Sequence, residues 1–234
     1  MIFAVAEMGV NWDGDFETAK EMMLNAKEVG FNAVKFQAYE EIMIKDHPQK
    51  VRLMKSTISE TNIETINELA KSVGIEWFCT PMYPDAVELL DPFVKRFKIR
   101  VINGKPMLEN KTSKLIDAVL KTNKEIIVSS ESSPRGTRFF DHPKVKWLYC
   151  VPKYPCELSD LDFRNLGDFS GFSNHSPTII APLTAVILGA QILEVHITSN
   201  KSKDYVDNNV SLDYSECKEL MRFIRLSEQI KKNF

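Results

Sequence analysis

The sequence has no long hydrophobic run, no excess of basic residues and no signal-peptide architecture at its start. No apolar stretch approaches the roughly 18 residues that a membrane-spanning helix needs. The net charge of −2 and the pI near 6.1 offer no basic surface to a nucleic acid. We therefore expect neither a membrane nor a nucleic acid among its partners.

Cysteine is scarce, and no two cysteines are spaced as a Cys-x-x-Cys pair. The four are Cys79, Cys150, Cys156 and Cys217. Isolated cysteines in apolar surroundings are typical of reduced thiols that pack as small hydrophobic residues. We therefore expect a cytoplasmic protein.

Apolar, strand-like runs alternate with helical patterns along the whole chain. The runs cover residues 2–6, 33–36, 75–79, 97–102, 125–128, 145–150, 169–172 and 190–197. Strands that alternate with helices form a parallel sheet, and eight such units in 234 residues predict a single-domain (β/α)8 TIM barrel over residues 1–234. An open doubly wound sheet is the alternative, disfavoured because no Gly-x-Gly-x-x-Gly follows an early strand.

The helical patterns differ in strength along the chain. They cover residues 15–29, 61–74, 84–93, 110–122, 177–189 and 213–231. Thr61 and Glu64 have the spacing of a capping box, and Gly74 predicts the end of that helix. The helices after the fifth and sixth strands are expected to be shortened, and residues 38–60 form the longest irregular stretch, which is interpreted as a lid.

Polar and charged residues gather where the predicted strands end. They are Glu7, Lys35, Gln37, Thr80, Lys98, Arg100, Ser129, Ser130, Tyr149, Ser173, His175 and His196. The carboxyl ends of barrel strands surround the mouth where such barrels carry out chemistry. Lysine and arginine suit a phosphate or carboxylate, so a small, anionic and phosphorylated substrate is predicted.

Two of only four histidines, His175 and His196, follow late strands 21 residues apart. Two imidazoles at one mouth predict a site for a divalent metal that polarises a carbonyl group. A structural, hydrogen-bonded role for each imidazole is the alternative. Lys35 and Lys98 lie inside apolar runs, where a buried ammonium group needs an anionic partner. For Lys35, that partner is either Glu7 or a ligand.

Several short motifs, in order along nearly the whole chain, resemble those of the sialic acid (N-acetylneuraminate) synthases. They are Ala6-Glu-Met-Gly-Val-Asn11, Ala33-Val-Lys-Phe-Gln37, Cys79-Thr-Pro81, Phe97-Lys-Ile99, Tyr154-Pro155, Gly171-Phe-Ser-Asn-His-Ser176, Pro182-Leu-Thr-Ala-Val-Ile-Leu-Gly-Ala190 and Glu194-Val-His-Ile-Thr198. The resemblance implies condensation of phosphoenolpyruvate with an open-chain, N-acetylmannosamine-like amino sugar, giving a nonulosonic acid and phosphate by C–O cleavage.

The resemblance also implies a role for each matching residue. It implies that Glu7 is the active-site carboxylate. It also implies that His175 and His196 are ligands of a divalent metal ion, expected to be Mn²⁺, with Mg²⁺ or Co²⁺ as alternatives. Contacts to phosphoenolpyruvate are implied for Lys35, Lys98, Ser129 and Ser173. Contacts to the sugar are implied for Gln37, Tyr154 and Asp207.

The sequence departs from the family pattern mainly on the sugar side. Trp12, Arg100, Tyr149, Asn174 and Asn208 stand where other residues are usual. We expect no C-terminal antifreeze-like domain, which in the family supplies an arginine to a partner's active site. Arg100 or Lys153 would then supply that charge, and a homodimer or a separate lid-domain protein is expected as a partner.

Two other functions remain open at this point. One is another phosphoenolpyruvate- or pyruvate-dependent aldol-type barrel enzyme with a different aldehyde acceptor. The other is a degenerate barrel that binds a sugar or a partner without catalysis. The retained Glu7, Lys35, Lys98, His175 and His196 disfavour the second of these.

Overall fold

The computed structural model describes residues 2–231, which form one closed barrel of eight parallel strands. The strands are β1 (Phe3–Glu7), β2 (Ala33–Ala38), β3 (Glu76–Pro81), β4 (Arg96–Ile99), β5 (Glu125–Ser130), β6 (Val145–Tyr149), β7 (Gly171–Asn174) and β8 (Ile192–His196). They follow one another in chain order, and β8 pairs with β1 to close the ring. The predicted (β/α)8 fold is confirmed. Of the domain predicted over residues 1–234, residues 1 and 232–234 lie outside the described residues.

Eight α-helices of the described chain surround the barrel or extend its loops. They are α1 (Phe16–Val29), α2 (Lys50–Ser56), α3 (Ile63–Val73), α4 (Pro84–Leu90), α5 (Val101–Leu108), α6 (Lys114–Lys121), α7 (Ile180–Ile187) and α8 (Tyr214–Lys231). None of the helices within residues 2–231 combines the length and the apolar character needed to cross a bilayer.

Helix α1 shows how the sequence defines these elements. Asp15 caps its start by accepting a hydrogen bond from the backbone N–H of Thr18, and Gly30 ends it in the left-handed region at φ 106°. Its apolar positions recur at helical spacing, and Ala19, Met22 and Ala26 are buried against the barrel. The amphipathic pattern therefore predicts both the helix and the face that packs.

The prediction of a strand over residues 97–102 is wrong beyond Ile99. The strand ends there, and α5 begins at Val101. Val101 and Ile102 favour strands, and Gly104 and Pro106 disfavour helices, so local propensity points away from this helix. Tertiary packing decides it, since a Cβ at Gly104 would lie 2.8 Å from the Val128 side chain on β5, leaving no room for a larger residue.

Three smaller expectations also changed. The capping box at Thr61 is wrong, because α3 begins after Asn62, whose side chain instead bonds the backbone of Ser59 and Thr57. The stretch 38–60 is not wholly irregular, since it contains a 3₁₀ turn at Glu41–Ile44 and helix α2. The described chain has no α-helix between β5 and β6, and only 3₁₀ turns between β6 and β7, so these units are shortened as predicted.

The register places the polar strand ends side by side at one end of the barrel. Glu7 on β1 is level with Lys35 on β2 and with His196 on β8. Ser173 on β7 is level with Glu194 on β8. Residues from distant parts of the sequence therefore meet at the carboxyl ends of the strands, which is where a barrel of this type places its active site.

Candidate active site

A cavity of about 230 Å³ opens at the carboxyl ends of the strands. Nine of the ten residues predicted for the site line it: Glu7, Lys35, Gln37, Lys98, Ser129, Tyr154, Ser173, His175 and His196. The tenth, Asp207, lines an adjoining lobe of the mouth, and its Oδ2 lies 3.4 Å from Nδ1 of His196. The fold therefore brings the predicted set together, although it does not by itself test their roles.

Glu7 and Lys35 form a buried ion pair between neighbouring strands. Lys35 Nζ lies 2.8 Å from Glu7 Oε2, and the Gln37 side chain donates to Glu7 Oε1 at 2.8 Å. Burial raises the pKa of Glu7 by more than the nearby Lys35 and His196 lower it. A carboxyl group with a raised pKa accepts a proton more readily than an ordinary carboxylate, which suits it to take up and return one.

Glu194 is the functional candidate that the sequence interpretation missed. Its Oε1 accepts hydrogen bonds of 2.8 Å from both Lys98 and Ser173, and Lys35 Nζ lies 3.7 Å away. Burial alone would raise its pKa, but the charges of Lys35 and Lys98 outweigh burial and lower the pKa to about 2. Glu194 is therefore a carboxylate that holds both lysines.

A signal for Glu194 was present in the sequence. It interrupts the apolar run Ile192–His196 in the same way that Lys35 interrupts its own strand. It is also two residues from His196, so both side chains point to the same side of β8. The charge argument that was applied to Lys35 would have identified it.

Lys35 retains its charge although it is buried. Burial by itself would lower the pKa of Lys35, but Glu194 and Glu7 outweigh that effect and raise the pKa. Two lysines and two carboxylates leave the base of the cavity close to neutral. A multiply charged anion that binds here therefore needs further donors or cations.

His175 is held in one tautomer by the backbone. Its Nδ1 lies 2.8 Å from the Val151 carbonyl, to which it donates, and the Tyr154 hydroxyl donates to its Nε2 at 2.8 Å. Burial lowers the pKa of His175 to about 3, so the ring is neutral near pH 7. A neutral imidazole that donates one N–H to a backbone carbonyl keeps a lone pair on its other nitrogen. In His175 this lone pair accepts from Tyr154, so a metal would bind there only with the Tyr154 hydroxyl displaced.

His196 faces His175 across the mouth. The two ring centroids are 5.3 Å apart, and the rings are inclined by 65°. Nδ1 of His196 is buried without a hydrogen-bond partner among the described residues, apart from its approach to Asp207. Tyr154 contacts both rings from above, at centroid distances of 4.1 and 5.8 Å.

The donor chemistry fits a divalent ion with an open coordination sphere. The two neighbouring imidazoles offer nitrogen ligands, and Nδ1 of His196 is a buried polar atom whose nearest described partner is the Asp207 carboxylate at 3.4 Å. The described residues contain no cluster of three or more His, Cys, Asp or Glu arranged to hold a metal. Any ion would therefore take its remaining ligands from water or substrate.

Two more buried polar atoms of the cavity residues are left for a ligand. They are the Ser129 hydroxyl oxygen and Glu194 Oε2, and neither has a nitrogen or oxygen partner among the described residues. The Ser129 hydroxyl lies beside the Cys150 thiol. Burial raises the pKa of Cys150 to about 11, so the thiol stays protonated. Buried polar groups are rarely left without partners, so these two atoms are available to bond a ligand that enters the cavity.

Arg100 is the cation at the mouth that no described carboxylate pairs with. It lines the cavity, and its Nε donates to Asn103 Oδ1 at 2.6 Å. Lys153, the other residue considered for this charge, is instead paired with Asp160 outside the cavity. Tyr149 also lies outside, because its ring stacks on Phe172 and its hydroxyl accepts from the backbone of Asp162.

The chain is similar to known proteins over nearly its whole length. Residues 22–234 match the model of the NeuB family. An uncharacterised protein of Methanocaldococcus jannaschii is 31% identical, with 97% of this chain and 71% of that protein covered. The N,N'-diacetyllegionaminic acid synthase of Legionella pneumophila is 28% identical, with 97% and 72% covered. The N-acetylneuraminic acid synthetase of Leptospira borgpetersenii superimposes with a TM-score of 0.82 at 23% identity, over 98% of this chain and 84% of that one.

Proposed function

Because this chain belongs to the NeuB family, we propose that it condenses phosphoenolpyruvate with an open-chain, N-acetylmannosamine-like amino sugar. The chain is an enzyme of the phosphoenolpyruvate-dependent, sialic acid synthase-like type. The products of the proposed reaction are a nonulosonic acid and inorganic phosphate. The observation that carries the proposal is the assembly, in one cavity, of two paired lysines, two carboxylates and two facing imidazoles.

Phosphoenolpyruvate would bind at the base of the cavity. Lys35 and Lys98 present ammonium groups that Glu194 already orients, and Ser129 adds a hydroxyl donor. Ser173, whose hydroxyl donates to Glu194, lies beside them and would contact the substrate once it turns away from Glu194. Charge-assisted hydrogen bonds of this kind bind phosphate and carboxylate groups strongly. Since Glu7 and Glu194 balance the two lysines, Arg100 is the additional cation that we assign to the substrate's negative charge.

The sugar would enter above phosphoenolpyruvate, towards the two histidines. Gln37, Tyr154 and Asp207 border this part of the mouth and offer an amide, a hydroxyl and a carboxylate to its hydroxyl groups. A divalent ion on His175 and His196, Mn²⁺ in our proposal with Mg²⁺ or Co²⁺ as alternatives, would polarise the sugar aldehyde. Holding both substrates in one enclosed site removes much of the entropic barrier to their reaction.

The methylene carbon of phosphoenolpyruvate forms a bond to the aldehyde carbon, whose oxygen needs a proton to become a hydroxyl group. Water adds to the carbon that carries the phosphate, and Glu7 takes one proton from that water and returns it to the former aldehyde oxygen, a role that fits its raised pKa and its position beside Lys35. The C–O bond to phosphate then breaks, the carbon becomes a ketone, and the remaining proton of the added water leaves with the phosphate.

The proposal extends to the setting of the enzyme. All four cysteines are free and buried, as expected for reduced thiols, and we propose a cytoplasmic location. A homodimer or a separate lid-domain protein remains our proposal for what covers the mouth.

Phosphate release is the direct test. Phosphoenolpyruvate, Mn²⁺ and a panel of 2-acetamido sugars should release phosphate only when both substrates are present, with a product mass equal to the sugar plus the pyruvate unit. In ¹⁸O-labelled water, the label should enter the acid and not the phosphate. The Glu7→Gln variant should lose most of the activity, whereas Glu68→Gln on the exposed face of α3 should not. Phosphate release without a sugar, or labelled phosphate, would contradict the mechanism.

A further inference from the structure

Three of the four donors at the base of the cavity already face an anion that belongs to the protein. Glu194 Oε1 accepts hydrogen bonds of 2.8 Å from Lys98 and Ser173, and Lys35 Nζ lies 3.7 Å away. The fourth donor, the Ser129 hydroxyl, has no nitrogen or oxygen partner among the described residues. The Glu194 carboxylate therefore stands, relative to these donors, where an anionic group of the substrate would bind.

The two lysines differ in how much they depend on Glu194. Lys35 has Glu7 Oε2 at 2.8 Å and donates to the Thr80 hydroxyl at 3.2 Å. Lys98 pairs with Glu194 and with no other carboxylate of the described residues. The two lysines and the two glutamates are each at most 4% exposed, so water screens their charges little and those charges act strongly on any anion that enters.

The charge of Glu194 bears on the release of phosphate as well as on the binding of substrate. Two buried ammonium groups balanced by Glu7 alone would give the base a net positive charge and hold a phosphate ion tightly. Tight binding of a product slows its departure, and release of product is often the step that limits kcat. Interactions that strengthen ground states and transition state alike do not raise kcat. A second carboxylate at the base therefore favours turnover over affinity.

We infer that Glu194 is an internal counter-anion, which takes the place of the substrate's anionic groups while the site is empty and limits the affinity of the base for phosphate, an inference that rests on the proposed binding of phosphoenolpyruvate there. Entry of the substrate transfers the Ser173 hydroxyl and the Lys98 ammonium group from Glu194 to the incoming anion. Departure of phosphate returns both donors to Glu194. Glu194 acts through these donors and contacts no reacting atom, so it is a positioning residue.

The direction in which anion affinity changes tests this role. Glu194→Gln keeps the size of the side chain and removes its charge, and calorimetric titration with inorganic phosphate should show binding at least about tenfold tighter than in the parent. Glu194→Asp keeps the charge and should stay within about threefold of the parent. Glu68→Gln, in the exposed ion pair of α3, should leave the affinity unchanged. Unchanged or weaker binding in Glu194→Gln would show that Glu194 only orients the lysines, and would overturn the inference.

Steady-state kinetics separate this role from a purely structural one. In Glu194→Gln, the KM for phosphoenolpyruvate and the inhibition constant of inorganic phosphate should both fall by at least about threefold. The kcat should fall with them, because phosphate leaves more slowly. Misplaced lysines would instead raise KM while kcat falls. A raised KM in Glu194→Gln would therefore overturn the inference.

A second background applies if Glu194→Gln by itself does not fold. Lys98→Met removes the ammonium group that Glu194 holds, so adding Glu194→Gln leaves the base with the neutral pair of Lys35 and Glu7. The double variant should bind inorganic phosphate at least about threefold more tightly than Lys98→Met does. Equal or weaker binding overturns the inference. If no sugar is turned over, the proposed reaction fails, and the titrations still decide the inference: no binding of phosphate by either member of a pair overturns it.

Discussion

At the residue scale, Glu194 is the group on which the base of the cavity depends. It holds Lys98 and Ser173 through hydrogen bonds of 2.8 Å and lies 3.7 Å from Lys35. Glu194→Gln removes the negative charge and leaves two buried ammonium groups with too few anions. We expect a loss of about 3–5 kcal/mol in the free energy of unfolding, measured by chemical denaturation.

The same substitution in an exposed ion pair provides the control. Glu68 pairs with Lys71 at 2.8 Å on α3, and both side chains are largely exposed. Glu68→Gln should change the free energy of unfolding by no more than about 0.5 kcal/mol. A loss of that small size in Glu194→Gln would show that the lysines do not need this carboxylate.

The two histidines are predicted to bind one divalent ion together. After chelation and reconstitution with Mn²⁺, the protein should contain close to one ion per chain, and His196→Ala should lose most of it because one imidazole is a weak site by itself. His47, which is exposed and does not line the cavity, supplies the control variant His47→Ala. Equal metal content in the parent and in His196→Ala would refute the shared site.

At the scale of elements, the contact between β7 and β8 requires a glycine. A Cβ at Gly171 would collide with the backbone of Ile192, the residue with which it is in register. This close contact aligns Ser173 with Glu194 two residues further on. Gly171→Ala should therefore cost at least about 3 kcal/mol of stability or prevent folding.

Gly167 is the matched control for this position. It lies four residues earlier, and a Cβ there would meet no atom within 4 Å. Gly167→Ala should change stability by no more than about 1 kcal/mol in the same denaturation measurement. If both alanine variants behaved alike, the close approach of β7 and β8 would not be the cause.

At the scale of the whole molecule, substrate binding and folding are linked. The cavity is lined by residues of β1, β2, β3, β4, β5, β7 and β8, so we expect phosphoenolpyruvate to bind only the folded barrel. At a concentration of about 100 times its Kd, phosphoenolpyruvate should raise the free energy of unfolding by about 2.7 kcal/mol. That corresponds to a rise of about 5–10 °C in the melting temperature of a chain of this size.

Serine variants make this measurement specific. Ser129→Ala removes a buried hydroxyl that has no nitrogen or oxygen partner among the described residues, so the unliganded melting temperature should hardly change while the ligand-induced rise shrinks. Ser130→Ala removes a hydroxyl that bonds the Ser132 backbone and does not line the cavity, and it should keep the full rise. A full rise in Ser129→Ala would show that Ser129 does not contact the ligand.

The sequence by itself determined the barrel and the end at which the site forms. Strand and helix periodicity are local properties, and in a parallel barrel every strand end meets at one mouth. Lys35 and Lys98 could be singled out because a charge within an apolar run needs a partner wherever the run is buried. The short motifs around Glu7, His175 and His196 added the reaction class.

Only the tertiary structure decided which groups partner each other. Lys98 and Glu194 are 96 residues apart in sequence, and no local pattern links them. Helix α5 formed against the propensities of Gly104 and Pro106, because packing on β5 outweighs local preference. The lobe of the mouth beside Asp207 likewise combines Val10, Leu53, Met82 and Val206 from four separate segments between strands. These features arise from contacts between residues that are far apart in the chain. Such contacts produce no local periodicity in the sequence, so they could not be predicted from it.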